Sequence, residues 1–139
     1  MKIQTLDQIQ LWLVIIWLLN KIRIFIMKKI EAIIQPEALE AVKEALYDAE
    51  IHKMTVSKVR GCGQQKGYTE HYRGKVINVK LLDKIKIEIA VTASYEQQAV
   101  DAIVKGARSG NIGDGKIFVT DLPRCVRIRT GEEGHDAIG

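Results

Sequence analysis

The length, composition and charge of the chain favour a single small globular domain. Its 139 residues, 47% hydrophobic and 27% charged, are enough for one core and exclude general disorder. The formal charge of +4 suits anionic ligands but not a dense basic patch, so we expect no nucleic-acid partner. The two cysteines lack metal-ligand spacing, so neither a zinc site nor a disulfide framework is expected, and a cytoplasmic protein is predicted.

Residues 1–26 differ from the rest of the chain. Nine consecutive apolar residues, Leu11 to Leu19, form a run shorter than the roughly twenty that a spanning helix needs. No small-residue cleavage site follows it, so a secretory signal fits poorly. Three interpretations stay open. The segment is a membrane-surface anchor with Trp12 and Trp17 at the interface, a helix that packs on a partner or another subunit, or a stretch preceding the true initiator, Met27.

The next elements alternate between strand and helix. The apolar run Lys28–Ile34 predicts a buried strand, which Pro36 ends. Residues 37–49 predict a helix, and its apolar face consists of Leu39, Val42, Leu46 and Ala49. Residues 53–60 predict a second strand. The glycine-containing stretch 62–81 predicts a long loop, which in a compact domain is usually functional.

The second half of the chain repeats this order. Residues 84–91 alternate strictly between apolar and polar and predict a half-buried strand. Ser94 and Gln97 have the spacing of a capping box, and the buried face of the following helix is predicted to be Val100, Ile103, Val104 and Ala107. Gly106 and Gly110 are expected to weaken and end this helix. Residues 116–121 predict a fourth strand, and residues 124–129 are expected to continue extended.

The predicted order, β-α-β, loop, β-α-β, defines an α+β fold. With right-handed crossovers it gives one four-stranded antiparallel sheet with both helices on one face. The opposite face also carries apolar residues, and two layers would leave it in water, so self-association is expected.

Three features together indicate nucleotide binding. Gly61–Gly67 and Gly113–Lys116 are glycine-rich segments whose N–H groups and lysines suit phosphate, although alone a Gly-Asp-Gly-Lys turn is more often only a turn. Arg127 and Arg129 would share one face of a strand, which suits a polyphosphate. For Glu88, on the polar face of its predicted strand, two interpretations stay open: contact with a ligand base, or exposure to solvent. No catalytic base is positioned by spacing, so we expect a protein that is not an enzyme.

From Met27 to Ile138 the chain resembles the PII nitrogen-regulatory signalling proteins. The resemblance is carried by Gln65-Lys-Gly-Tyr-Thr-Glu-His-Tyr-Arg-Gly74, Lys84-Ile-Lys-Ile-Glu-Ile, Ile112-Gly-Asp-Gly-Lys-Ile-Phe-Val119 and Val126-Arg-Ile-Arg-Thr-Gly-Glu-Glu133. It implies a ferredoxin-like βαββαβ homotrimer over residues 27–139, with the family's T-loop at about 62–81 and residues 1–26 outside the domain.

The resemblance also implies ligands. ATP or ADP would bind between subunits, and 2-oxoglutarate beside Mg-ATP. The nucleotide would contact Thr55, Gly61, Gly63, Glu88, Gly113, Asp114, Gly115 and Lys116, with Arg127 and Arg129 from the neighbouring subunit. The 2-oxoglutarate carboxylates would meet Lys84 and the backbone around Gln64, Gln65 and Gly67, and Gln65 would help to hold Mg²⁺.

The T-loop would dock on targets through Tyr72, Arg73, Gly74 and Ile77. Implied targets are an ammonium transporter, glutamine synthetase, nitrogenase or a transcription regulator, and membrane association would come through a partner or residues 1–26. Ile77 stands where many members carry a modified tyrosine, and Lys75 where some carry a modified serine, so switching by ligands alone is predicted. The alternatives are a small nucleotide-hydrolysing enzyme, or a trimeric structural module or metal-tolerance protein of similar fold.

Overall fold

The computed structural model describes residues 2–63, 69–72 and 75–139. The helices are α1 (Lys2–Phe25), α2 (Leu39–Asp48), α3 (Glu96–Ala107) and α4 (His135–Ile138). The strands are β1 (Met27–Ile34), β2 (Thr55–Gly61), β3 (Thr69–Tyr72), β4 (Lys75–Val79), β5 (Leu82–Thr92) and β6 (Gly115–Leu122). Short 3-10 helices at Pro36–Ala38 and Ala93–Tyr95 lead into α2 and α3.

Four strands form one antiparallel sheet in the order β2-β5-β1-β6. In its centre Ile30 of β1 lies between Ile89 of β5 and Val119 of β6. This order and the two helices give the predicted ferredoxin-like α+β fold, so the fold prediction is confirmed.

The hydrophobic core lies between one face of the sheet and helices α2 and α3. Alternation in β1 and β5 places every second residue on this face. The largest fully buried side chains are Ile30, Ile34, Val42, Leu46, Ile87 and Ile103. The helical spacing of Val42 and Leu46 brings both onto the sheet as predicted. In α3 the buried residues are Ala99, Ala102 and Ile103, whereas the predicted Val100, Val104 and Ala107 are only half-buried.

Gly106 has a packing role that the sequence prediction missed. It lies within α3, and a Cβ atom at this position would come within 2.6 Å of the Val42 Cα atom in α2. The two helices therefore approach each other closely because residue 106 has no side chain. The expectation that Gly106 merely weakens the helix is incomplete.

The stretch 62–81 is not a simple loop. It contains β3 and β4, which pair antiparallel from Thr69↔Val79 to Tyr72↔Lys75 with an irregularity in register between Thr69 and His71. The prediction of about twenty residues without secondary structure was therefore wrong for the part of this stretch that the structure describes.

The predicted capping box at Ser94 and Gln97 is absent. The Ser94 hydroxyl hydrogen-bonds the Thr92 hydroxyl at 2.8 Å, and Gln97 donates to Asp101 at 2.8 Å. The 3-10 helix at Ala93–Tyr95 starts the helical segment, so α3 begins at Glu96 without a side-chain cap.

The chain after β6 does not continue as a strand. Val126 makes an isolated antiparallel bridge with Glu133, and a turn follows at residues 128–130. The expectation of an extended segment over residues 124–129 was wrong, because the chain reverses and Gly131 and Gly134 adopt positive φ angles.

Helix α1 stands apart from this domain. Each residue from Leu11 to Leu19 is 37% to 65% exposed. The helix contacts the 3-10 turn Ala93–Tyr95 and β5, and Ala93 N donates to Ile26 O at 2.8 Å. Among the described residues, no helix meets the length and hydropathy required to cross a membrane.

Candidate anion-binding site

An open groove of about 760 Å³ lies at the sheet end where β1 ends and β6 begins. Its size is within the usual range for small-molecule sites. It is lined by Ile33, Gly61, Cys62, Gly63, Leu82, Lys84, Asn111, Ile112, Gly113, Asp114, Gly115, Lys116 and Phe118. Residues 61–63, the described part of the first glycine-rich segment, therefore meet Gly113–Lys116 in one groove, because β2 ends and β6 begins at the same end of the sheet.

The turn between α3 and β6 requires glycine. Gly113 and Gly115 have φ angles of 101° and 115°, which residues with a Cβ atom rarely adopt. At Gly115 a Cβ atom would lie 1.8 Å from the Ile33 carbonyl oxygen, so any other residue would displace β1 or the turn.

Asp114 holds the turn together from within. Its carboxylate accepts hydrogen bonds from Ser109 N at 2.8 Å, Gly110 N at 3.0 Å and the Ser109 hydroxyl. These bonds, chiefly the one from the Ser109 hydroxyl, hold the pKa of Asp114 below its ordinary value. The carboxylate thus shapes the turn, a role that the sequence resemblance, which placed Asp114 against phosphate, did not indicate.

Gln35 supports the other side of the turn. Its Nε2 atom donates to the Gly113 carbonyl oxygen at 2.7 Å, which ties the turn to the residue that follows β1. The sequence analysis missed both Gln35 and Ser109. A serine five residues before an aspartate, with two glycines between them, is the kind of local turn signal that could have indicated the Ser109–Asp114 interaction.

The groove has a positive charge balance. Two lysines, Lys84 and Lys116, line it together with one acid, Asp114, whose oxygens accept bonds from residues 109 and 110. Backbone N–H groups at glycines beside lysines are the usual elements of an anion site.

Glu88 and Thr55 lie outside this groove, next to each other on the sheet face opposite the helices. Glu88 pairs with Lys29 at 3.0 Å and with Lys86 at 3.8 Å. The hydrogen bond from Lys29 lowers the pKa of Glu88 and raises that of Lys29. This half-buried face carries a charged network as well as apolar residues such as Phe118, which is 50% exposed.

Neither Arg127 nor Arg129 lines the groove of its own chain. The Arg127 guanidinium donates to Glu132 Oε2 at 2.6 Å and to the Asp136 carbonyl at 2.7 Å. Asp136 belongs to helix α4, which ends beside Val91 and Thr92. Arg127 therefore lies at the opposite end of the sheet from the groove. Arg129 lies in the turn after Ile128, so the predicted strand face shared by the two arginines does not exist.

The remaining predicted residues lie where the structure gives less detail. Gln64, Gln65, Gly67, Arg73 and Gly74 are outside the described residues. For Tyr72 and Ile77 the structure describes only their places in the β3–β4 hairpin. Within the described part of the chain, no group of three acidic, histidine or cysteine side chains could hold a metal ion.

The fold and the groove define a class of protein: a ferredoxin-like α+β domain with a glycine-lined, positively charged groove at one sheet end. The family model "Nitrogen regulatory protein P-II" matches residues 27–132. The chain therefore belongs to the P-II family of nitrogen-regulatory signal transduction proteins, as its sequence resemblance predicted.

Named relatives agree with this assignment. The nitrogen regulatory protein P-II of Pasteurella multocida is 56% identical over 112 residues, which are 81% of this chain and 100% of that protein. The P-II proteins of Azospirillum brasilense and Synechocystis are each 54% identical over the same coverage. The crystal structure of Arabidopsis thaliana PII bound to citrate is 37% identical, with a TM-score of 0.65, covering 80% of this chain and 88% of that one. The three bacterial relatives are named as regulatory proteins.

Proposed function

We propose that this chain is a trimeric PII-type sensor that binds ATP or ADP, and 2-oxoglutarate with Mg-ATP, and regulates nitrogen-assimilation targets through the β3–β4 hairpin. The observation that carries the proposal is the meeting of Gly61–Gly63, Lys84 and Gly113–Lys116 in one positively charged groove. A tricarboxylate bound to the Arabidopsis relative supports a site for small carboxylate anions.

The separation of the predicted site residues supports assembly. Gly113–Lys116 lie at one end of the sheet, and Arg127 lies beside the C-terminal residues at the other end. If all of these groups hold one polyphosphate, the arginines come from a neighbouring subunit. A homotrimer would also cover the exposed sheet face around Phe118.

Ligands would act by favouring one arrangement of the loop. Gly61 and Leu82, which pair at the ends of β2 and β5, line the groove and flank the stretch that carries the hairpin. A ligand in the groove would therefore lie beside both ends of the stretch that carries the hairpin. It can shift the populations of two loop arrangements by its differential affinity for them. The implied targets are an ammonium transporter, glutamine synthetase or another enzyme or regulator of nitrogen metabolism.

Calorimetric titration of the full chain with 2-oxoglutarate, with and without Mg-ATP, tests the proposal. Heat of binding only in the presence of Mg-ATP is expected. Lys116→Gln should weaken ATP binding about ten- to a hundredfold because a charge-assisted contact is lost. Lys105→Gln, an exposed lysine in the last turn of α3, is the matched control and should bind normally.

Three outcomes would reject the proposal. Absence of 2-oxoglutarate binding under both conditions would mean that the chain has the family fold but does not sense 2-oxoglutarate. Rapid release of phosphate from ATP would instead favour the nucleotide-hydrolysing enzyme, and unchanged affinity in Lys116→Gln would remove the groove as the phosphate site.

A further inference from the structure

Helix α1 lies outside the part of the chain that the P-II family accounts for. The family match begins at residue 27, and the relatives' full lengths are covered by 112 residues of this chain. The function of the groove therefore gives no reason for α1. The apolar composition of α1 therefore calls for a binding partner or phase that shields its side chains from water.

The apolar surface of α1 surrounds the helix completely. Leu11–Leu19 is nine residues, about two and a half turns, so apolar side chains point in every direction around the axis. All nine are more than a third exposed, including Leu13 at 60% and Ile16 at 50%. Leaving such a surface in water is unfavourable.

A second copy of α1 would not cover this surface. Packed helices bury one seam, the a and d positions, and leave the outward positions in water. An apolar phase around the helix covers every direction at once. The apolar run, however, is only about 13 Å long, less than half of the roughly 30 Å hydrocarbon core of a bilayer.

The ends of the apolar run favour an anionic lipid surface. Asn20, Lys21 and Arg23 follow the run, and in the whole of α1 three basic residues stand against one acid, Asp7. The Lys21 ammonium lies 4.4 Å from the centre of the Trp17 ring. Tryptophan beside lysine is typical of the boundary between lipid headgroups and acyl chains.

We infer that α1 binds the surface of an anionic phospholipid bilayer, with its apolar run sunk into one leaflet and its polar flanks at the level of the headgroups. The inference does not depend on the proposed function. Helix α1 joins the sheet at Met27, whereas the groove lies beyond Ile34, about 23 Å further along β1. The lipid-bound protein therefore holds its groove away from the bilayer.

Tryptophan fluorescence of the full chain tests this inference directly, since both tryptophans of the protein lie in α1. The probes are vesicles of phosphatidylcholine alone and of phosphatidylcholine mixed with phosphatidylglycerol. A blue shift of the emission and quenching by brominated lipid are expected, with tighter binding to the phosphatidylglycerol vesicles.

Substitutions separate the apolar and the charged contributions. The double change Leu13→Glu and Ile16→Glu should weaken vesicle binding on the order of a hundredfold, because two apolar side chains no longer insert. Tyr47→Glu, a 68% exposed position of α2, is the matched control and should bind like the wild type. Lys21→Gln should weaken binding about fivefold, and only to the phosphatidylglycerol vesicles.

Several results would overturn the inference. Equal vesicle binding by the wild type and the double variant would remove α1 as the contact. Absence of vesicle binding, together with a lower oligomeric mass of the double variant in sedimentation, would assign the helix to contacts between copies. If Lys21→Gln bound vesicles like the wild type and neither protein preferred phosphatidylglycerol, the preference for an anionic surface would be rejected. Calorimetric titration of the same samples with ATP measures binding at the groove, so failure of the proposed function can be distinguished from failure of lipid binding.

Discussion

Helices α1 and α2 use similar aliphatic residues in opposite ways. In α2, Val42 and Leu46 are four residues apart and completely buried against the sheet. In α1 an unbroken apolar run has no polar face, and Leu13 and Ile16 are at least half exposed. The difference shows that burial in this chain follows the period of the apolar residues and the presence of a packing surface, not hydrophobicity alone.

The comparison implies that substitutions should be costly in the P-II domain and nearly neutral for the folding of α1. Gly115→Ala should have the largest effect, since its Cβ would lie 1.8 Å from the Ile33 carbonyl oxygen. We expect a loss of about 4 kcal/mol or more in the free energy of unfolding, measured by urea denaturation.

Gly110→Ala is the matched control for this position. Gly110 also has a positive φ angle, 87°, but a Cβ atom there has no neighbour within 4 Å. The cost should be only about 1–2 kcal/mol, from the backbone conformation alone. Equal losses in the two variants would show that the contact with Ile33 does not constrain the turn.

A leucine pair tests the two helices directly. Leu46→Ala should lower the free energy of unfolding by about 2–5 kcal/mol, because a fully buried side chain leaves a cavity. Leu13→Ala should change it by less than about 0.5 kcal/mol, since Leu13 is 60% exposed. A large loss in Leu13→Ala would mean that α1 is packed on another part of the molecule or another copy in solution.

The effect expected at Asp114 depends on pH. Because the folded pKa of Asp114 lies below its ordinary value of 3.8, its contribution is complete above that pH and is lost as the pH falls through the folded value. The difference in urea midpoint between wild type and Asp114→Asn should therefore narrow from about pH 5 to about pH 2. A difference that is constant over this range would show that the carboxylate charge is not involved.

The regular elements of the fold were predictable because their periods are strong. Alternation over residues 84–91 gave β5, and helical spacing over residues 37–49 gave α2. The β3–β4 hairpin was missed although Thr69–Tyr72 and Lys75–Val79 are strand-like runs separated by two residues, one of them a glycine. The glycines at positions 61, 63, 67 and 74 indicated a loop instead, because glycine is uncommon in strands.

The candidate site was predictable in composition but not in roles. The glycines and lysines of the groove could be chosen from the sequence because anion sites need N–H groups and positive charge. The inward orientation of the Asp114 carboxylate and the support from Gln35 depend on tertiary contacts. The false strand at Arg127 arose because the turn at residues 128–130 reverses the chain after a single bridge at Val126.

The contact between Gly115 and Ile33 also determines how the groove can move. A turn whose backbone touches the carbonyl of the central strand cannot fluctuate on its own, because β1 is hydrogen-bonded on both sides. The Gly113–Lys116 segment should therefore share the slow amide hydrogen exchange of the sheet rather than the fast exchange of a surface loop. A ligand there would bind a surface that is already ordered and would lose little conformational entropy at that segment.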